Sequence, residues 1–283
     1  MAYILKGAPV ADAITRKLTE AAGNLKVRGI IPTLAIVRIG ERNDDLAYER
    51  GAIKRCERVG IAVRRYQLDT GIEQPALLDV IEEINGDKSI HGCLMFRPLP
   101  KHIDERTVCE AVNVKKDVDC MTGRSLIGIF TGSGEGFAPC TAQSVIELLK
   151  YYGVDLAGKR VAVIGRSLVI GKPVSMLLQA ENATVTMCHT RTVDMPAICR
   201  EAELLVVAAG HSNTVTKDFV NPDQIVVDVG INLAPDGTLT GDVSFGEVEP
   251  LVKAITPVPA GVGSVTTAVL CKHVIEAAER ADV

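Results

Sequence analysis

VAVIGRSLVIGKP, Val161 to Pro173, is the stretch on which the fold turns. Its first four residues are apolar and read as a buried strand; a glycine-bearing turn follows, and Pro173 suits the first turn of a helix. Strand, turn and helix in that order bring a helix N-terminus to the end of a parallel strand. Such a terminus offers unpaired N–H groups and the positive end of a dipole, which suit a phosphate. The usual G-x-G-x-x-G pattern is absent, because Arg166 and Ser167 stand between Gly165 and Gly171. The two glycines still let backbone approach a ligand closely.

The next strand, ATVTMC (183–188), runs into CHTRT, Cys188 to Thr192. An Asp or Glu at that point would bind the ribose 2′-OH of NAD, whereas cations accept the 2′-phosphate of NADP. No acid is present. Arg166, Thr190 and Arg191 form a candidate phosphate pocket, which favours NADP, with NAD as the alternative.

Around this unit the chain alternates β-rich runs with helical patterns, the signature of α/β layers on a mostly parallel sheet. Apolar residues at Val10, Ile14, Leu18, Ala21 and Leu25 predict a helix, followed by a strand over 33–40, a helix over 46–59 and a strand over 61–68. A helix through Leu77, Leu78, Ile81 and Ile84 precedes a strand over 91–96 closed by RPLP. The stretch 128–140 reads as loop, and a helix runs through Val145, Ile146 and Leu149. A second series follows: strand 160–164, helix 172–181, strand 183–188, helix 193–201, strands 203–209 and 224–230, and a helix over 265–281. The expectation is an α/β protein of two α/β lobes, the second a nucleotide-binding half.

Composition narrows the function. With 31 Lys and Arg against 35 Asp and Glu, the net charge of −4 gives no electrostatic case for nucleic acid. Aromatic residues make up 4% with no Trp, which argues against base-stacking surfaces. No apolar run reaches the ~18 residues that span a bilayer. The N-terminus lacks the pattern of a cleaved leader, so the expected location is the cytoplasm, with no membrane partner. Eight scattered cysteines without C-x-x-C read as free thiols, and the five histidines show no metal-ligand spacing.

The chain resembles the methylenetetrahydrofolate dehydrogenase/cyclohydrolase family of one-carbon metabolism over essentially its whole length. The segments that carry the resemblance are AYERGAIKRCERVGI (47–61), RPLP (97–100), KKDVDCMTG (115–123), PCT (139–141), GKRVAVIGRSLVIGKP (158–173), ATVTMCHTRT (183–192), VVDVGIN (226–232), GDV (241–243) and TPVPAGVGSVT (256–266). The resemblance implies a folate-binding catalytic domain over 1–145, completed by the C-terminal helix 264–283. It also implies a Rossmann-like NAD(P)-binding domain over 146–263, a cleft between the two lobes, and a homodimer. By position, Tyr48 and Asp119 would be the catalytic pair that also contacts the pterin. Phe96, Pro98, Leu99, Pro259, Gly261 and Val262 would border the tetrahydrofolate-type substrate. Gly165, Arg166, Ser167, Gly171, His189, Thr190, Arg191, Ala209, Gly210, Gly230, Ile231 and Thr266 would contact the dinucleotide.

The chain departs from the family pattern on the folate side. That pattern is Y-V-x-x-K-x-K, whereas this chain reads Tyr48-Glu-Arg-Gly-Ala52-Ile-Lys54. At ~100° per residue, position 52 lies ~40° from Tyr48 and shares its face, while Lys54 lies ~120° away. The family glutamine before L-P-L-P is Phe96, an apolar residue is Arg97, glycines are Cys120 and Ala260, and Pro is Ser264. Hydride transfer needs positioning more than a titrating side chain. Hydrolysis of the methenyl bridge needs an acid or base. The leading expectation is therefore a methylenetetrahydrofolate dehydrogenase with weak or lost cyclohydrolase activity. The alternatives are the bifunctional enzyme, with Arg55, Arg97 or Lys54 substituting, and a catalytically silent dinucleotide-binding paralogue.

Overall fold

The computed structural model describes residues 1–234 and 237–281. Along the first half the elements are β1 (Tyr3–Ile4), α1 (Gly7–Val27), β2 (Thr33–Ile39), α2 (Asn43–Val59), β3 (Ala62–Leu68), α3 (Gln74–Gly86), β4 (Gly92–Met95), α4 (Glu105–Ala111), α5 (Gly123–Thr131) and α6 (Cys140–Tyr151). The second half holds β5 (Arg160–Ile164), α7 (Gly171–Ala180), β6 (Thr184–Cys188), α8 (Met195–Glu201), β7 (Leu204–Val207), β8 (Ile225–Asp228), β9 (Asn232–Leu233), β10 (Leu239–Thr240), α9 (Phe245–Val248), β11 (Ala254–Ile255) and α10 (Thr266–Ala281).

Two compact units result. One comprises Asp12–Cys140 and the chain from Thr267, the other Met1–Ala11 and Thr141–Thr266. The first is built on a parallel sheet of order β3-β2-β4. Its central strand, TLAIVRI, is buried at every position, as a strand covered on both faces must be. Ala35, Val37, Ile39, Cys93 and Met95 pack on one face with Leu77, Ile81 and Ile84 of α3. Burying side chains of that size stabilises by about 1.5–3 kcal/mol each. The chain passes from β2 to β3 on one side and then to β4 on the other. The strand order thus reverses between β2 and β4, and ligands of open α/β sheets bind outside the carboxyl ends at such a point.

The second unit repeats that logic on a six-stranded sheet of order β1-β11-β8-β7-β5-β6, with every pairing parallel. Here β5 is followed by β6 on one side and β7 on the other, so the switch lies between β5 and β7. The loops after those strands begin at Gly165 and Ala208.

The structure corrects three readings. Gly123–Thr131 is helical, so the loop reading of 128–140 fails over its first four residues. Its nine residues are too few to show a period, and its start is fixed by Thr122, whose Oγ1 accepts from Ser125 N at 3.1 Å. The helix α4 was likewise not anticipated; Asp104 caps it by accepting from Arg106 N and Thr107 N. The division of the chain also differs from the expected 145/146 and 263/264. It falls at 140/141 and 266/267, and the first eleven residues join the second unit. The cause is β1, a two-residue strand that pairs with β11 through Tyr3 and Ala254. Among the described residues no helix is long and apolar enough to cross a membrane, and no cluster suits a metal ion. All eight cysteines are buried.

Candidate functional site

At the β5–β7 switch point the turn after β5 is closed by glycine. Gly165 has φ +121°, and a Cβ there would lie 2.2 Å from the Ala208 carbonyl oxygen. A Cβ on Gly171 would lie 2.2 Å from the Gly165 carbonyl oxygen, so the loop folds against the start of α7 only because both residues lack side chains. Ser167 accepts from Ile170 N through Oγ at 3.1 Å and from Lys172 N through its carbonyl at 3.0 Å. Arg166 is left exposed beside this turn.

The turn after β6 is held by its own residues. His189 N donates to Thr192 Oγ1 at 2.9 Å, and Arg191 N donates to His189 Nδ1 at 3.1 Å. That bond places the imidazole proton on Nε2. Thr190 and Arg191 are exposed, and among the described residues no carboxylate pairs with Arg166 or Arg191. The cradle that a Cβ would fill, together with two unpaired cations, fits a phosphate-bearing dinucleotide.

Two buried carboxylates frame the loops after β7 and β8, and sequence reasoning missed them as site builders. Asp228 Oδ1 accepts from Gly230 N at 2.9 Å and Asp242 N at 3.0 Å, and its Oδ2 accepts from Val243 N at 2.9 Å. Burial pushes the Asp228 carboxyl up to about 6 against the pull of those three donors, and the Asp242 anion adds to the rise. Asp242 in turn accepts from Gly210 N at 2.8 Å and Asn232 Nδ2 at 2.8 Å. The signal available in the sequence was an acid ending the apolar run VVD and another inside GDV. These bonds shape a cavity of about 270 Å³ lined by Gly230, Ile231, Pro259, Gly261 and Val262 among others. Thr266 does not line it: its Oγ1 donates to Gly263 O at 3.0 Å. Ala209 and Gly210 lie in the loop beyond β7, which ends earlier than the expected 209.

At the β2–β4 switch point, α2 meets the loop after β4. The Tyr48 and Phe96 rings stand edge to face with centroids 5.9 Å apart, and Arg42 Nη1 donates to Pro98 O at 3.4 Å. Pro98 is exposed, but Leu99 is a core residue, 8% exposed and packed with Met95 and Ile103. Asp119 Oδ1 accepts from Cys140 N at 3.1 Å, and burial raises its carboxyl above the usual range. The neighbouring Asp117 pins the turn by accepting from Met121 N, Thr122 N and Ser125 Oγ.

Cys120 and Ala260 have φ of +58° and +78°. Each holds a left-handed conformation that costs an L-residue roughly 1–2 kcal/mol. Ala52 is 0% exposed on the sheet face of α2. Lys54 is exposed, and Arg55 is engaged, donating to Thr15 Oγ1 at 3.0 Å and lying 4.0 Å from Asp12. The sequence reading also passed over an ion pair between β2 and α2. Arg38 Nε lies 2.7 Å from Glu49 Oε2, with both side chains about 95% buried.

Two family models match the chain. The tetrahydrofolate dehydrogenase/cyclohydrolase catalytic domain matches residues 5–119, and the NAD(P)-binding domain of the same family matches 139–282. The chain is 52% identical over 281 residues to the bifunctional protein FolD of Carboxydothermus hydrogenoformans, covering 99% of this chain and 98% of that protein. Its structure superposes on the bifunctional FolD methylenetetrahydrofolate dehydrogenase/cyclohydrolase of Campylobacter jejuni with a TM-score of 0.95, at 38% identity, over 99% of each chain. The corresponding enzyme of Trypanosoma brucei, solved with NADP and an inhibitor, gives 0.91 at 34% identity, over 99% of this chain and 98% of that one. These names agree better with the two-activity alternative than with the leading expectation of weak or lost hydrolysis.

Proposed function

The chain belongs to the tetrahydrofolate dehydrogenase/cyclohydrolase family, and from that premise we propose that it oxidises 5,10-methylenetetrahydrofolate to the 5,10-methenyl form with NADP. The observation that carries this is the glycine-closed turn at the β5–β7 switch point, flanked by unpaired Arg166 and Arg191 and without an acid after β6. A bound nicotinamide would supply the hydride acceptor. The chain's share is positional. Gly165, Ser167 and Gly171 shape the pyrophosphate cradle, Arg166 and Arg191 take the 2′-phosphate, and the loops tied by Asp228 and Asp242 set the 230–231 and 259–262 walls. Tyr48 and Asp119 hold the pterin. Mixing the protein with methylenetetrahydrofolate and NADP⁺ should produce reduced nicotinamide; a flat trace with both NADP⁺ and NAD⁺ would refute the assignment.

Hydrolysis is the half on which the relatives and this chain's residues pull apart. The relatives' names favour a second activity. Ala52 and Phe96 favour a slow one, because neither can move or orient a proton. The reading that accommodates both is oxidation accompanied by weak hydrolysis.

Two expected outcomes follow from the binding roles. Arg191→Ala narrows the preference for NADP over NAD by ~1–3 kcal/mol, the value of a charge-assisted bond. Calorimetric titration reads this, and equal affinities in the unmutated protein would sink it. Asp119→Ala abolishes turnover while dinucleotide affinity stays, since Asp119 belongs to the first unit and the cradle to the second. Normal turnover in that variant would remove Asp119 from the site.

A further inference from the structure

The face of α2 that packs on the sheet carries Asp45, Glu49, Ala52, Cys56 and Val59, all buried. Two carboxylates in such a stripe are unusual, since acids are almost never fully buried unless paired. Glu49 is 4% exposed; its Oε2 is held by Arg38 Nε at 2.7 Å, and Arg38 also donates to the Gly40 carbonyl. Among the described residues Glu49 Oε1 has no hydrogen-bond partner at all. A buried acceptor left bare costs about 1–3 kcal/mol, and an apolar pair of similar volume commonly serves a framework as well or better. The arrangement is costly as architecture.

Its position gives the expense a use. Ala35, Val37 and Ile39 of β2 share one face of the sheet with Cys93 and Met95 of β4. Side chains alternate across a strand, so Arg38 falls on the opposite face. Phe96, one residue beyond Met95 and still bonded from its N to Val37 O, follows the same alternation. Its ring meets Tyr48 of α2 there. Arg38, paired with Glu49, and Phe96, in contact with Tyr48, therefore lie on one face toward the carboxyl ends of β2 and β4, where the strand order reverses. Ala52, one turn beyond Glu49, contributes no polar atom.

We propose that Glu49 is the proton-transfer residue of this site, with Arg38 as the positioning residue that fixes one carboxylate oxygen and leaves the other for the reacting water. The proposal rests on the folate reading above. As the water oxygen bonds to the methenyl carbon, one water proton passes to Glu49 Oε1 and the C=N π pair returns to nitrogen. As the carbon–nitrogen bond then breaks, the carboxyl gives its proton to the departing nitrogen, and the hydroxyl proton goes to bulk water as the formyl C=O forms. One water is consumed and one proton released. The charges facing Glu49 are Arg38 from β2 and, on α2, Asp45 with Arg42 3.6 Å from it. Burial raises the Asp45 carboxyl above its usual range, Arg42 and Arg38 lower it, and Asp44 and Glu49 raise it further.

The test measures, in one preparation, NADP⁺ reduction with methylenetetrahydrofolate and disappearance of added methenyltetrahydrofolate above the buffer rate. Glu49→Gln should lower the ratio of hydrolysis to hydride transfer on the order of 10²-fold, the usual contribution of a placed acid or base. Glu49→Asp should recover part of that ratio. A purely structural role would depress both activities together and leave the ratio unmoved, and that result would overturn the proposal. Oxidation with no hydrolysis in the unmutated protein would overturn it while sparing the dehydrogenase assignment. Absence of both activities would instead overturn the folate reading itself.

Discussion

Ala52→Lys combined with Phe96→Gln raises methenyltetrahydrofolate hydrolysis by about 10²-fold or more, at the lower end of what a well-placed acid or base supplies. The geometry of α2 sets this expectation. Position 52 lies ~40° around the helix from Tyr48, one turn further on, and is 0% exposed. An amine there enters the space beside the Tyr48 ring, where Phe96 now stands edge to face with centroids 5.9 Å apart. Replacing Phe96 removes the ring and provides an amide to orient the amine. Ala52→Lys alone yields less, because a desolvated amine tends to lose its proton and the ring still occupies the space. Glu49, three residues earlier on the same buried stripe, gives the new ammonium a counter-charge. Absorbance loss of the methenyl compound, corrected for buffer, measures the outcome. A double variant no faster than the unmutated protein would remove position 52 from the hydrolytic site.

Asp228→Ala lowers stability by about 3–5 kcal/mol, because it leaves the N–H groups of Gly230, Asp242 and Val243 without their acceptor. At about 2–4 °C per kcal/mol the melting temperature falls by roughly 10 °C. The effect depends on pH with a definite sign. The folded carboxyl sits at about 6 against 3.8 for the free side chain, so between those values the folded state binds a proton that the unfolded state has released. This group's stabilisation is complete below about 3.8 and is lost as pH rises through about 6. At ~1.4 kcal/mol per unit the loss is about 3 kcal/mol. The gap in melting temperature between the unmutated protein and Asp228→Ala should therefore shrink from pH 4 to pH 7. A gap that widens over that range would place the carboxyl below its free value and remove the burial argument.

Local pattern determined most of the elements. Short apolar runs such as VAVI and LLVV fit strands covered on both faces, and the helical spacing of Val10, Ile14, Leu18 and Leu25 marks one buried side of a helix, although Ala22 rather than the expected Ala21 is in the core. The dinucleotide turn was legible for the same reason: Gly165 and Gly171 act within a few residues of each other, and the absent acid after ATVTMC is a fact of sequence. That alanine stands at 52 and phenylalanine at 96 was equally readable. What only the tertiary structure decided involves residues far apart in the chain. The strand β1 pairs with β11 some 250 residues away, and no local propensity specifies a two-residue strand. The role of Asp228 depends on backbone N–H groups up to fifteen residues off in the chain. Glu49 reads in sequence as one more charge on a charged helix. Only the packing of α2 over β2 takes it out of water and sets it against Arg38, because a carboxylate's chemistry is fixed by the dielectric and the partners that distant segments supply.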